Sequence, residues 1–335
     1  MSIEIEHRQY PKKLIFAVIS VLIVVTIAIT AIFAVTDVCG VDVGGRVVIK
    51  EGMTVQKTAD LMKESGIIRF PLVFRVMSRI NGYDTKIRPG QIVITEGMSY
   101  MQILNELVNA QPETVKIVIP EGLEIKEIAQ RLSALVTEDE FYEALNGDYD
   151  YRFLKNIPER ELRLEGYLFP ATYEFPKHAT AEDIVNAMLK VFDDNFKQEY
   201  YDRADQLGMT VDQIITLASI IERESNAGEE RPIVAGVFYN RLNMNMRLQS
   251  CATVQYVLKE RKAVLSSSDT KIDSPYNTYK YNGLPVGPIA SPGIECIKAA
   301  LYPAQTDALY FVLGSDGKHI FSATYEDHLR AKNAG

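Results

Sequence analysis

The chain has 335 residues, 47% of them hydrophobic and 24% charged, with a formal net charge of −8. That is enough ordinary globular sequence for two domains with real cores. The negative balance, which no basic cluster offsets, excludes nucleic acid as the main partner. Tryptophan is absent, but 18 tyrosines supply flat, hydrogen-bonding side chains suited to the walls of a groove.

In chain order, residues 14–35 form an uninterrupted apolar run of about 22 residues, long enough to span a bilayer. Arg8, Lys12 and Lys13 precede it, and Asp37 and Asp42 follow. The positive-inside rule therefore puts residues 1–13 in the cytoplasm, a transmembrane helix at 14–36, and the rest of the chain outside. A cleaved signal peptide is the alternative, because Ala31 and Ala34 are small residues near the end of the run. The run is longer than a usual signal h-region, so a retained single-pass anchor is expected. The T-D-V-C-G around Cys39 lacks a lipobox. With three cysteines, Cys39, Cys251 and Cys296, at least one thiol outside the cell stays unpaired. Whether Cys251 and Cys296 pair is left open by the sequence, buried free thiols being the plainer expectation.

After the anchor one pattern occurs three times: a short β-branched strand, a Glu-Gly turn, then an amphipathic helix. V-V-I-K leads into Glu51-Gly52, I-V-I-T into Glu96-Gly97, and I-V-I-P into Glu121-Gly122. Ser99 and Gln102 form a capping box for the second of these helices. Such entries suggest small α+β modules rather than one doubly wound sheet. Residues 47–95 read strand, helix, helix, strand, an order that resembles a LysM-type glycan-binding module, placed at 43–110. Gln111-Pro112 marks the expected boundary. The predicted class is thus α+β: a single N-terminal transmembrane helix, a small LysM-like α+β module, and a mixed α+β catalytic domain at 111–335.

Within that last domain, L-A-S-I-I-E-R-E-S-N at 217–226 ends an apolar helical run with Glu222, Glu224 and Ser225. Val211, Ile214, Ile215, Leu217, Ala218 and Ile221 recur at helical spacing, so one face is predicted to be buried. A carboxyl at the edge of such a face loses solvation and can hold a proton near neutrality, which general acid catalysis requires. On the helical wheel Glu222 and Glu224 flank the apolar face about equally and Arg223 points to solvent, so the pattern alone does not choose between them. Ordinary solvated helix-end residues are the bland alternative. Three other segments have the composition of a groove: L-E-G-Y-L-F-P-A-T-Y-E-F with Glu165, Tyr167, Tyr173 and Glu174, V-F-Y-N-R-L-N-M-N-M-R-L-Q, and residues 274–293. The last is a loop, because Pro275, Gly283, Pro285, Gly287, Pro288, Pro292 and Gly293 forbid a long helix or central strand. A loop this stiff holds tyrosine and asparagine side chains at low entropic cost, a suitable lining for a sugar polymer.

L-A-S-I-I-E-R-E-S, V-F-Y-N-R-L, M-R-L-Q-S, S-P-Y-N-T-Y and G-L-P-V-G-P-I-A-S-P-G resemble the MltG (YceG-like) family of endolytic murein transglycosylases, as do A-L-Y-P-A-Q-T-D-A-L-Y-F-V and G-K-H-I-F-S. The resemblance covers nearly the whole chain. It implies that the second Glu of the E-x-E pair, Glu224, is the catalytic acid and that Glu222 supports it. It also implies cleavage of MurNAc-β-1,4-GlcNAc bonds in nascent peptidoglycan without water, giving 1,6-anhydroMurNAc ends and terminating strand elongation, with no cofactor and no metal. Peptidoglycan synthases are implied as partners beside the membrane. Glu165, Tyr173, Ser225, Asn240, Arg241, Gln249, Tyr276, Asn277 and Tyr279 are the candidates for holding the strand; Asn240 and Arg241 have the alternative of capping a helix and pairing with Glu222. One departure stands out: where the family reads L-Q-[ST]-D-P-T, this chain has Leu248-Gln249-Ser250-Cys251-Ala252-Thr253, so an Asp at that position is dispensable here.

Other chemistries lack their signatures. The four histidines, His7, His178, His319 and His328, show no H-E-x-x-H spacing, and there is no G-x-S-x-G elbow; His319 in G-K-H-I-F reads as structural. The rival in another class is a non-catalytic, membrane-anchored glycan-binding scaffold of the wall-synthesis machinery. A two-carboxylate hydrolase pairing Glu224 with Glu165 or Glu222 is the third reading, and it predicts reducing ends.

Overall fold

Glycine turns set the local geometry at all three repeated entries. Gly52, Gly97 and Gly122 have φ of 71°, 85° and 77°, the left-handed region that costs a residue with a Cβ about 1 kcal/mol or more. The computed structural model describes residues 12–38, 41, 43–50, 52–110, 112–225, 228–262 and 264–334, with side chains in the first helix described for 16–30 only. The chain divides into two compact units, residues 1–113 and 114–335.

In the first unit, helix α1 (Lys12–Val38) precedes strand β1 (Gly45–Ile49), helices α2 (Val55–Glu64) and α3 (Pro71–Ile80), strand β2 (Gly90–Ile94) and helix α4 (Tyr100–Val108). β1 and β2 pair antiparallel, Val47 opposite Ile92. Val47, Ile49, Ile92 and Ile94 face inward onto Ala59, Met62, Phe74, Ile103 and Leu104, and the alternate residues Val48 and Val93 face out. The strand–helix–helix–strand order is the one read from the sequence. The capping box of Ser99 and Gln102 is present, Ser99 N donating to Gln102 Oε1 at 2.8 Å.

The expected membrane span falls in α1. Its described side chains, 16–30, are all exposed, and no helix among the described residues is long and apolar enough to cross a membrane. At ~1.5 Å per residue that stretch reaches about 22 Å, short of a hydrocarbon core of about 30 Å. The two ends of the expected span lie outside the described side chains, and Cys39 lies outside the described residues.

The second unit starts with β3 (Thr114–Ile119), α5 (Ile125–Leu132) and α6 (Glu138–Ala144), then β4 (Ala171–Pro176). β4 pairs antiparallel with β3, Ile117 opposite Tyr173. Seven further elements are helices α7 (Ala181–Asn195), α8 (Gln198–Gln206), α9 (Val211–Glu224), α10 (Arg231–Asn243), α11 (Cys251–Leu258) and α12 (Ile294–Leu301), and the C-terminal α13 (Tyr325–Ala334). A hairpin of β5 (Tyr310–Leu313) and β6 (His319–Ser322) precedes α13. Thr137 with Glu140, Thr180 with Asp183 and Thr210 with Gln213 repeat the capping box at α6, α7 and α9. Among the described residues all sheets are two-stranded and antiparallel, the modular α+β architecture expected rather than a doubly wound one. Residues 274–293 contain no helix or strand, as their proline and glycine content requires.

Candidate functional site

α9 is more buried than its pattern suggests. Ile214 to Ile221 are all buried, the polar Thr216 and Ser219 included. Ser219 Oγ donates to Thr216 O at 2.7 Å and accepts from Ile289 N at 3.0 Å. From Ile214 to Ile221 the helix is therefore packed all round, and at its C-terminus its two carboxylates part company. Glu222 turns to the glycine-rich loop: Gly293 N donates to its Oε2 at 2.8 Å, and Arg231 Nη2 lies 3.8 Å from its Oε1. Arg231, not Arg241, is thus the arginine beside Glu222. Arg223, expected to face solvent, instead donates from Nη1 to Gly122 O at 3.0 Å. Gly122 N in turn donates to Ser291 O, so the turn before α5, the end of α9 and the stiff loop are joined behind the carboxylates.

Glu224 turns the other way. Ser250 donates its hydroxyl to Glu224 Oε1, and the N–H of Ala252, in the first turn of α11, donates to the same carboxylate. Burial pushes the Glu224 carboxyl above its ordinary range; the hydrogen bonds from Ser250 and Ala252, then the charges of His319 and Arg223, pull in the opposite direction without cancelling it. Glu224 lines a cleft of about 280 Å³ together with Arg241, Gln249, Ser250, Cys251, Tyr279, Tyr310, Phe311, Tyr325 and His328. Among the described residues no other carboxylate lines it. Tyr279 Oη and Cys251 Sγ are 3.0 Å apart, so the cysteine standing in for the family's aspartate faces the cleft. Cys251 and Cys296 are both free thiols.

The expected strand-holding residues separate into three groups. Arg241, Gln249 and Tyr279 line the cleft. Arg241 is fixed by donating from Nε to Leu309 O and from Nη1 to Leu248 O, both at 2.6 Å, with its guanidinium 5.2 Å over the Tyr310 ring. Gln249 has φ of 51° and its N donates to Thr278 O at 3.1 Å. Glu165 and Tyr276 belong instead to a separate cavity of about 210 Å³, shared with Tyr142 and Tyr256. Glu165 is fully buried, accepts from Ile125 N at 3.2 Å and from Tyr256 Oη at 3.2 Å, and is pushed up to about 8 by burial. The remaining candidates are occupied within the fold. Asn240 Nδ2 donates to Thr306 O and Ala308 O. Asn277 Nδ2 donates to Thr270 O and Ile272 O while its Oδ1 accepts from Tyr279 N. Tyr173 is buried and donates to Phe169 O at 2.6 Å, and Ser225 is the buried cap of α9.

Several contributors carried no sequence signal of their own. Ser250 lies 26 residues from Glu224, and its only trace is a place in the M-R-L-Q-S motif. His328 stacks on Tyr310 with ring centroids 5.4 Å apart, and its buried Nδ1 has no partner; burial, then the charges of Arg241 and Lys332, hold its pKa below the ordinary histidine value. His319, expected to be structural, has its Nδ1 2.7 Å from Glu230 Oε2. Asp212 accepts both arms of Arg160 at 2.8 and 2.9 Å and the Tyr167 hydroxyl at 2.8 Å, clamping the L-E-G-Y segment to the start of α9. A depression of about 760 Å³ at that end of α9 contains none of the candidates. Among the described residues no three His, Cys, Asp or Glu side chains converge as a metal site would require.

In this cleft one carboxyl group, its proton affinity raised by burial, faces aromatic and amide-bearing side chains, an arrangement with the means to donate a proton to a polar ligand. The chain belongs to the YceG-like family, whose model matches residues 47–334. It is 32% identical over 299 residues to the endolytic murein transglycosylase of Bacillus subtilis (strain 168), with 85% of this chain and 82% of that protein covered. It is 33% identical over 315 residues to the protein of the same name from Streptococcus pneumoniae serotype 2 (strain D39 / NCTC 7466), covering 84% of this chain; the match spans 56% of that longer relative. A 2.6 Å crystal structure of a putative yceG-like protein from Listeria monocytogenes superimposes with a TM-score of 0.59 at 32% identity, covering 86% of this chain and 98% of that one.

Proposed function

We propose that this chain is a membrane-anchored endolytic lytic transglycosylase that cuts peptidoglycan glycan strands at MurNAc-β-1,4-GlcNAc bonds and leaves 1,6-anhydroMurNAc ends. Residues 14–36 anchor it, the LysM-like module at 43–110 binds glycan, and residues 111–335 carry the catalysis beside the synthases whose strands it terminates. The observation that carries the reading is that, among the described residues, Glu224 supplies the only carboxylate of its cleft. A retaining or inverting hydrolase needs two carboxylates flanking the bond. Glu222 is engaged by Gly293 and Arg231, and Glu165 by Ile125 and Tyr256. A transglycosylase needs one, because the substrate brings its own nucleophile.

Glu224, whose protonated form burial favours, gives its proton to the glycosidic oxygen as the C1–O bond breaks. The MurNAc 6-hydroxyl then attacks C1, and ionised Glu224 takes the hydroxyl proton, so no water is consumed and the acid is restored. The donors from Ser250 and Ala252 stabilise the ionised form between the two transfers. Arg241, Gln249 and Tyr279 hold the sugars next to the bond, and Tyr276 and Glu165 serve a more distant part of the strand. The test is to incubate the full-length protein with uncrosslinked glycan strands and read the new ends by mass spectrometry. AnhydroMurNAc ends on internal fragments are expected. Reducing ends would overturn the one-carboxylate mechanism, and glycan binding without any cleavage would replace the enzyme by a scaffold.

A further inference from the structure

Helix α3 has two apolar faces, and the fold covers only one. Phe74, Met77 and Ser78 point into the core of the first unit. Leu72, Val76 and Ile80, at the four-residue spacing that aligns side chains along a helix, are 68%, 46% and 63% exposed. Phe70, just before the helix, adds a fourth large apolar side chain at 48%. Such a row is costly to leave in water. Arg75 and Arg79 lie along the same face, and among the described residues neither makes an ion pair. Although the whole chain carries a net −8, residues 66–90 hold Arg69, Arg75, Arg79, Lys86 and Arg88 against Asp84 alone. Asp84 in turn accepts the Ser78 hydroxyl at 2.8 Å.

A partner for this face must bury aliphatic side chains and also answer positive charge. A surface of anionic phospholipid does both, the aliphatic row entering the headgroup–acyl boundary and the arginines meeting phosphates. The chain's covalent length points to the same partner. α1 ends at Val38, and Val41 is already fixed in the first unit, buried, with its N donating to Met98 O at 3.1 Å and its O accepting from Gly97 N at 2.9 Å. Three peptide steps separate the two residues, a reach of at most about 11 Å. If residues 14–36 cross the bilayer, the unit has no means of standing clear of it.

We propose that the outer face of α3 docks on the anionic bilayer surface from which the anchor emerges; the inference rests on the anchor of the proposed function. Docking would set the height and orientation of the first unit above the membrane, and so the distance from the bilayer at which a bound strand lies.

The absence of tryptophan makes the test direct. Leu72→Trp in the full-length chain introduces a single tryptophan on the face, excited selectively at wavelengths the tyrosines do not absorb, and Val93→Trp, on the outward side of the two-stranded sheet, serves as the reference. Each variant is placed in nanodiscs of equal parts phosphatidylglycerol and phosphatidylcholine, with and without brominated acyl chains. Docking predicts that bromine quenches the Leu72→Trp emission at least twofold more than the Val93→Trp emission. It also predicts that the excess is lost in phosphatidylcholine alone or when Arg75→Glu and Arg79→Glu are added. A chain that stays with the nanodisc while both positions quench equally, or neither does, overturns the docking and leaves the face to a protein partner. A chain that separates from the nanodisc on gel filtration overturns the anchor and the docking with it.

Discussion

The proton on Glu224 is contested: burial holds it on, while Ser250, Ala252 and the nearby positive charges favour its loss. A general acid works only while protonated, so activity should fall as pH rises through the pKa of Glu224. Glu224→Gln, which keeps shape and loses the proton, is expected to lower kcat by at least ~10²-fold with strand binding retained, read by product mass spectrometry and by binding titration. Ser250→Ala removes a donor that stabilises the ionised carboxylate. The pKa should then rise further, and the alkaline limb of the kcat profile should move to higher pH. An unmoved limb would mean that the Ser250 contact does not act on the reacting proton. Glu222→Gln is the contrasting case, because its partners are Gly293 N and Arg231. It should leave the alkaline limb in place and cost about 1–3 kcal/mol of stability in urea titrations.

Between elements, Glu165 ties the start of α5 to Tyr256 of α11, and its carboxyl is pushed up to about 8, chiefly by burial. The folded protein therefore holds Glu165 neutral where the unfolded chain would ionise it. The stabilising contribution is full below the ordinary carboxyl value of 4.5 and is lost as pH rises toward 8. Glu165→Gln should flatten this dependence, so that between pH 5 and 8 the wild-type chain loses on the order of 3 kcal/mol relative to the variant; melting curves across that range would show it. Elements of this kind were legible in the sequence where the signal is local. The three Glu-Gly entries, the Ser99–Gln102 cap, the order of the first unit and the irregular loop all follow from turn, cap and period rules. What was not legible depends on partners distant in the chain. The wheel left Glu222 and Glu224 equivalent because their difference lies in what each meets, Gly293 for one and Ser250 for the other. It placed Arg223 in solvent because nothing local announces Gly122. Asn240 and Asn277 had groove-like chemistry, but the carbonyls they bond belong to segments whose approach no periodicity reports.

Across the whole molecule, the two units bury separate apolar clusters, one built around Met62, Phe74 and Leu104, the other around Tyr167, Phe192 and the length of α9. Residues 114–335 are numerous enough to sustain a core by themselves, and every described side chain that lines the Glu224 cleft comes from that unit. Deleting residues 1–113 should therefore leave a folded protein that makes the same anhydroMurNAc ends. What the deletion removes is the first unit, proposed above to bind glycan. Two sites linked on one chain raise the effective concentration of a strand at the second site once the first has bound, without altering the chemistry there. The shortened protein should accordingly show an unchanged kcat and a KM higher by up to about 10²-fold. The difference should vanish on oligosaccharides too short to reach both sites. A fall in kcat on those short substrates would instead mean that the first unit acts on the cleft itself.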